Sequence, residues 1–193
     1  MAGLERILAP TVEPLSLAEA RLHLRLDDTA EDGLVAALIV AARQLAERHL
    51  GRALITQGFR LWLDAWPAGR RALDLPRPPL AAVEAVTTYD EDGLATVLEP
   101  GRYLADLVAT PGRLVLRAGS APPVGSRAAN AIAVDYTAGY GPAGTDVPEP
   151  VRRGMALLLG HLFESREAGA GGGARPLPLG VEALWSPYRV VRL

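Results

Sequence analysis

Three histidines (His23, His49 and His161) and the acidic run Asp90-Glu91-Asp92 are the groups here best suited to bind a metal or move a proton. A metal site on a helix needs its ligands three or four residues apart, on one face. His161 has Glu164 three residues on, but this is a Glu-x-x-His pair in reverse and no ligand set. The histidines therefore read as structural or surface side chains. The acidic run fits no calcium-binding loop, and its place before Gly93 reads as the solvated tip of a hairpin. Thiolate chemistry is excluded, since the chain has no cysteine. No nucleophile elbow, Walker loop or dinucleotide-binding glycine pattern is present. Gly169 to Gly173 follow a helix instead of joining a strand to one, so they read as a hinge and not a phosphate cradle. Pro76-Arg77-Pro78-Pro79 has PxxP spacing, but after Leu73-Asp74-Leu75 it reads as the end of a strand. The expectation is a chain with no catalytic residues, no metal and no cofactor.

The elements around these residues predict an α+β fold. Ser16-Leu17-Ala18-Glu19 is a capping box, in which a serine hydroxyl and a glutamate satisfy each other's backbone amides. It opens a helix over about 17–26. A longer helix spans about 30–50 and closes at Gly51. Its apolar residues form two stripes: Leu34, Leu38, Ala41 and Leu45, and beside it Val35, Ile39, Ala42, Ala46 and Leu50. That face is wider than one neighbour covers. The helix is therefore central in a bundle or also meets another subunit, with Val35, Ile39, Ala42 and Ala46 as the candidate subunit interface. From Thr56 the period falls to two: Phe59, Leu61 and Leu63 alternate with Arg60, Trp62 and Asp64. Short strands with Gly and Pro turns, including a hairpin at Asp92-Gly93, predict a small antiparallel barrel or sandwich. A third helix over about 148–167 buries Val151, Met155, Leu158 and Leu162 and turns Arg152 and Arg153 outward. The domain expectation is a helical bundle of 1–56 with 146–168, an inserted β lobe of 57–145, a glycine-rich hinge of 169–175 and a tail of 176–193.

The tail is unusually apolar for a segment beyond a glycine run. It carries Leu177, Leu179, Val181, Leu184, Trp185, Tyr188, Arg189, Val190, Val191 and Leu193. Solvated tails lack such residues because they bury nothing. Prolines at 176, 178 and 187 exclude one continuous helix and favour an extended path. Two readings are open: the tail docks on a partner, or it folds back on its own domain. The partner reading is preferred, with Trp185 as anchor. Net charge is −2 and the sequence pI ≈ 5.9, which argues against a dedicated nucleic-acid binder. Every basic residue is arginine. No apolar run approaches the ~20 residues of a membrane span, and Met1-Ala2-Gly3-Leu4-Glu5-Arg6 has no secretory pattern.

An ordered set of segments resembles the head-tail connector proteins of long-tailed phages. It comprises Leu15 to Asp27, Ile39 to Arg43 with Glu47, Gly51 to Thr56, Leu61 to Asp64 with Trp66-Pro67, Leu75 to Leu80, and Val134 to Tyr140 leading to Val147-Pro148. Within that family the chain looks most like the adaptor of alphaproteobacterial gene transfer agents, including Pro178 to Glu182 and Tyr188 to Leu193. The resemblance implies a non-enzymatic protein at the neck of a phage-like particle assembled in the bacterial cytoplasm. It implies a ring of copies, dodecameric in the family, beneath the portal protein and above a tail-side stopper or tail-completion protein. The ring would line the channel through which DNA passes, touching it transiently and without sequence preference. The tail residues from Leu177 to Leu193 then become candidates for docking on the portal, and Arg152 and Arg153 for facing DNA or an acidic partner. The shorter members of the family are mainly helical, so the β lobe is a departure. Two other classes fit the residues less well. A helix-turn-helix protein needs a basic recognition helix, whereas the second helix begins Ala30-Glu31-Asp32. A carboxylate hydrolase needs paired acids in a concave pocket.

Overall fold

The computed structural model describes residues 2–164 and 177–190, and in it the chain forms two compact units. One unit combines residues 1–10 with 56–140, and the other combines 11–55 with 141–193.

The first unit is built of antiparallel strands. Strands β1 (Ala2–Leu8), β2 (Gln57–Leu63), β4 (Leu80–Tyr89), β5 (Ala95–Val97) and β8 (Ile132–Ala138) form a sheet in the order β1-β2-β8-β4-β5. Strands β3 (Ala72–Asp74), β6 (Tyr103–Asp106) and β7 (Arg113–Leu116) form a second sheet in the order β3-β7-β6. Among the described residues the larger sheet has two open ends and is not closed into a barrel. Alternation decides which side chains go inside. Phe59, Leu61 and Leu63 of β2 and Val134 and Tyr136 of β8 are buried, together with Leu114 and Leu116 of the smaller sheet. Arg60 and Asp135, on the intervening positions, form a bidentate ion pair at 2.6 and 2.7 Å. The β4–β5 turn falls where the sequence predicts it. Gly93 takes a positive φ of 83°, and the Asp90 carboxylate accepts from the Leu94 amide at 2.8 Å. The acidic run is thus turn chemistry.

Strand β1 corrects the sequence reading, which places residues 1–10 with the helices. It pairs antiparallel with β2, and its register slips between Arg6 and Leu8. A bulge there leans Ile7 and Leu8 over Gly58, where a Cβ would meet the Leu8 Cβ at 2.8 Å. Only glycine fits at that crossing.

The second unit holds helices α1 (Leu17–Leu24), α2 (Asp32–Leu50), α3 (Glu149–Glu164) and α4 (Leu179–Trp185). The capping box is present: Ser16 Oγ accepts from the Glu19 amide at 3.2 Å, and Glu19 accepts from the Ser16 amide at 2.8 Å. Gly51 closes α2 in the left-handed region with φ of 70°. Helices α1, α2 and α3 pack against one another, and α4 packs on α3. The extended tail of the sequence reading is corrected by α4. Its seven residues fit between Pro178, which stands before the first turn where no amide is needed, and Pro187, which follows the last. The predicted hinge lies outside the described residues.

Candidate functional site

The three candidate surfaces named from the sequence all fall in the helical unit, and two of them turn inward. On α2, Val35, Ala42 and Ala46 are fully buried and Ile39 nearly so. This stripe is the subunit's own core, not the face offered to a neighbour. The parallel stripe is the open one: Leu34 and Leu45 are exposed, while Leu38 and Ala41 are half-buried. Beside the buried stripe, on the side away from the open one, Arg43 and Glu47 carry an ion network that the apolar pattern concealed. Arg43 Nε donates to Glu13 at 2.7 Å and its Nη1 to Glu47 at 3.0 Å, while Glu47 also accepts from the Leu54 amide at 3.1 Å. Pairing and hydrogen bonds to the backbone are what make such burial tolerable. The spacing of Arg43 and Glu47, one helical turn apart, is the signal that could have revealed part of it.

Arg152 and Arg153 are separated by their surroundings. Arg152 donates to the Pro14 carbonyl at 3.0 Å, to Glu149 at 2.9 Å, and to Glu19. It thereby pins the start of α3 to the cap of α1. The Glu19 carboxyl sits below its ordinary value of 4.5, held there first by the Ser16 amide and further by the Ser16 hydroxyl and Arg152, against a smaller opposing effect of burial. Arg153 is exposed.

The C-terminal segment is fastened to its own subunit. Trp185 is fully buried, and its indole N–H donates to the Val151 carbonyl at 3.1 Å. Gly154 makes the slot for this ring: a Cβ there would meet Nε1 at 2.2 Å and Cδ1 at 2.8 Å. Val181 is buried beside it on α4. His49 lies against the indole with ring centroids 5.7 Å apart. Its Nε2 is 3.1 Å from Glu182 Oε2, near enough for an ion pair but off the angle of a hydrogen bond. The segment's end is held by the Val190 amide, which donates to the Leu50 carbonyl at 2.9 Å, and by Arg52 Nε, which donates to the Tyr188 carbonyl. Trp185 and Val181 are therefore anchors within the subunit and not side chains presented to a partner. Leu177, Leu184, Tyr188 and Val190 are half-buried, and Leu179 and Arg189 are exposed. Val191 and Leu193 lie outside the described residues.

His49 thus packs on Trp185, and His23 Nε2 lies 3.6 Å from where a Cβ on Gly160 would stand. Among the described residues, no group of three or more His, Cys, Asp or Glu is placed to hold a metal ion. No described helix is long and apolar enough to cross a membrane.

A family model described as phage gp6-like head-tail connector protein matches residues 14–96. Among the solved structures that match are three aligned nearly end to end. A chain from the neck of an empty GTA particle computed with C6 symmetry is 31% identical with a TM-score of 0.81, covering 99% of this chain and 97% of that one. One from the virion of a native gene transfer agent (GTA) particle is 30% identical with a TM-score of 0.82, covering 98% and 96%. One from the neck of a native GTA particle computed with C12 symmetry is 30% identical with a TM-score of 0.76, covering 99% and 97%. No curated protein matches. The chain belongs to the head-tail connector family of phages and gene transfer agents. Its role is structural: it joins capsid to tail at the neck of a phage-like particle.

Proposed function

We propose that copies of this chain close into a ring of twelve, seated between the portal and a tail-side stopper or tail-completion protein, with the DNA path through its bore. The observation that carries this is the end-to-end likeness to a chain of a GTA neck computed with C12 symmetry. The β unit is shared with the matched chains over nearly their whole length, so it belongs to the connector and is no appendage. Of α2, only the stripe from Leu34 to Leu45 is open to a neighbouring copy, since the adjacent stripe is core. The C-terminal segment meets the portal through its exposed residues Leu179 and Arg189, while Val181 and Trp185 hold it to its own subunit. Arg153 is the cation of α3 that passing DNA can reach, and Arg152 is engaged by Glu19 and Glu149. With a net charge of −2, the chain should let DNA slide without gripping it.

Electron microscopy of the full-length protein mixed with its portal protein tests the reading. A twelvefold ring on the portal is the expected image; portal particles without added density would overturn it. Duplex DNA should bind weakly and with strong salt dependence. Nanomolar affinity for one sequence at physiological salt would instead revive the helix-turn-helix reading.

A further inference from the structure

The large sheet of the β unit ends in two strands that pair on one side only among the described residues: β1 at one end and β5 at the other. Both ends expose large apolar side chains. Leu4, Ile7 and Leu8 of β1 are 40%, 47% and 57% exposed, and Val97 of β5, with Leu94 before it, is 64% and 69% exposed. An open strand edge bearing apolar groups is a template for pairing with another chain, and proteins usually blunt it. Here β1 has no proline between Ala2 and Leu8, and a bulge at Ile7 is its one irregularity. The two ends also differ in shape. Beside β5 a groove of about 470 Å³ is lined by Thr88, Thr96, Val97, Leu98, Glu99, Arg102 and Pro122 to Val124, whereas β1 presents a strand of seven residues. Strand addition works when backbone amides supply the pairing and a neighbouring groove receives alternate side chains.

We propose that β1 of one copy adds to the β5 edge of the next, placing its exposed leucine and isoleucine side chains in the groove lined by Val97 and Pro122 to Val124. The occupant is a second copy of this chain because the two complementary surfaces stand at opposite ends of one sheet. A ring with rotational symmetry requires that arrangement, since each subunit must offer two different patches that fit each other. The inference rests on the ring reading above and adds which surfaces join its members. Strand β5 has only three residues, so a single contact is short and weak. Closure of the ring, in which every subunit is held from both sides, supplies the remaining strength.

Absence of native cysteine makes a direct test available. The full-length chain carrying Leu4→Cys together with Val97→Cys is treated at high concentration with a short bismaleimide. Within one chain these positions are separated by four inter-strand steps of about 4.8 Å each, beyond the reach of a short linker. The expected product is a ladder of covalent dimers, trimers and larger species. Each single-thiol variant should remain monomeric, and an equal mixture of the two should stop at the dimer. Adding Val124→Asp to the double variant should abolish the ladder. A double variant that stays monomeric, or a single variant that links to itself, would overturn the proposal. Thermal unfolding of each variant checks the fold, and Glu5→Cys with Thr96→Cys replaces any pair that fails to fold. A twelvefold ring on the portal without the ladder sinks this inference alone. A ladder without any ring on the portal sinks the ring reading and leaves the strand contact.

Discussion

The helical unit closes one stripe of α2 and the anchors of α4 upon itself, leaving Leu34, Leu45 and Leu179 open, whereas the β unit leaves apolar groups open at both ends of its sheet. In the first, Val35, Ile39, Val181 and Trp185 are all at most 3% exposed, and the last described helix is spent covering α3. In the second, Leu4, Ile7, Leu8, Leu94 and Val97 remain at 40% exposure or more. Apolar content alone therefore does not mark a docking surface. What matters is whether the chain has a segment of its own to cover it. The helical unit has α4, while among the described residues the ladder of the β unit stops at β1 and β5.

The comparison breaks first at the helical core. Val35→Asp buries a carboxylate with no partner and should cost several kcal/mol, on the order of 3–5, enough to unfold a marginally stable domain. Loss of the cooperative thermal transition is expected; a folded variant that merely fails to assemble would return this stripe to the interface. Next comes the latch. Trp185→Ala should cost about 3–5 kcal/mol by emptying a buried aromatic site, and removing everything after Gly173 should lower the melting temperature at least as much. An unchanged melting temperature in the truncated chain would show that the tail is not part of the core.

A smaller effect is expected at Gly154. Alanine there gains helix propensity of roughly 1 kcal/mol but drives a Cβ into the Trp185 ring, where overpacking costs about 1–3 kcal/mol. Indole fluorescence should shift to the red as the ring is pushed toward water, and protease should cut the C-terminal segment faster. The smallest effect concerns pH. A carboxyl whose folded-state pKa is lowered adds stability that is complete above its unfolded value and is lost as pH falls through the lowered one. For Glu19 that window opens below pH 4.5. Glu19→Gln should therefore flatten slightly the acid-side decline of melting temperature, leaving neutral-pH behaviour dominated by the lost cap and the lost Arg152 partner. Substitutions at Leu4 and Val97 sharpen the contrast from the other side, since their cost to stability should be near zero.

Local chemistry makes several elements legible in the amino-acid order itself. The Ser16–Glu19 box, the Gly51 stop and the Asp92-Gly93 turn each depend on residues within a few positions of one another, and each is found where the spacing puts it. The same holds for alternation in β2, because a straight strand keeps its period of two. Strand β1 is hidden for the opposite reason. Its bulge spaces Leu4, Ile7 and Leu8 at i, i+3 and i+4, the pattern of a helix face, so periodicity points to the wrong element.

Residue order is enough for the class of protein, the limits of α1 and α2 and the start of α3 within a few residues, the two-stripe face of α2 and the presence of an apolar tail. It is not enough for which stripe of α2 is core, or for where Trp185 lies. Both stripes have equal periodicity, and only the packing of α1 and α3 on α2 decides which of them is buried. Likewise the prolines bounding α4 forbid a long helix but permit a short one. Whether the short helix forms depends on the slot that Gly154 opens on α3 for Trp185, distant along the chain. Burial is a property of pairs of surfaces, and a pattern read along one strand or helix contains only one member of each pair.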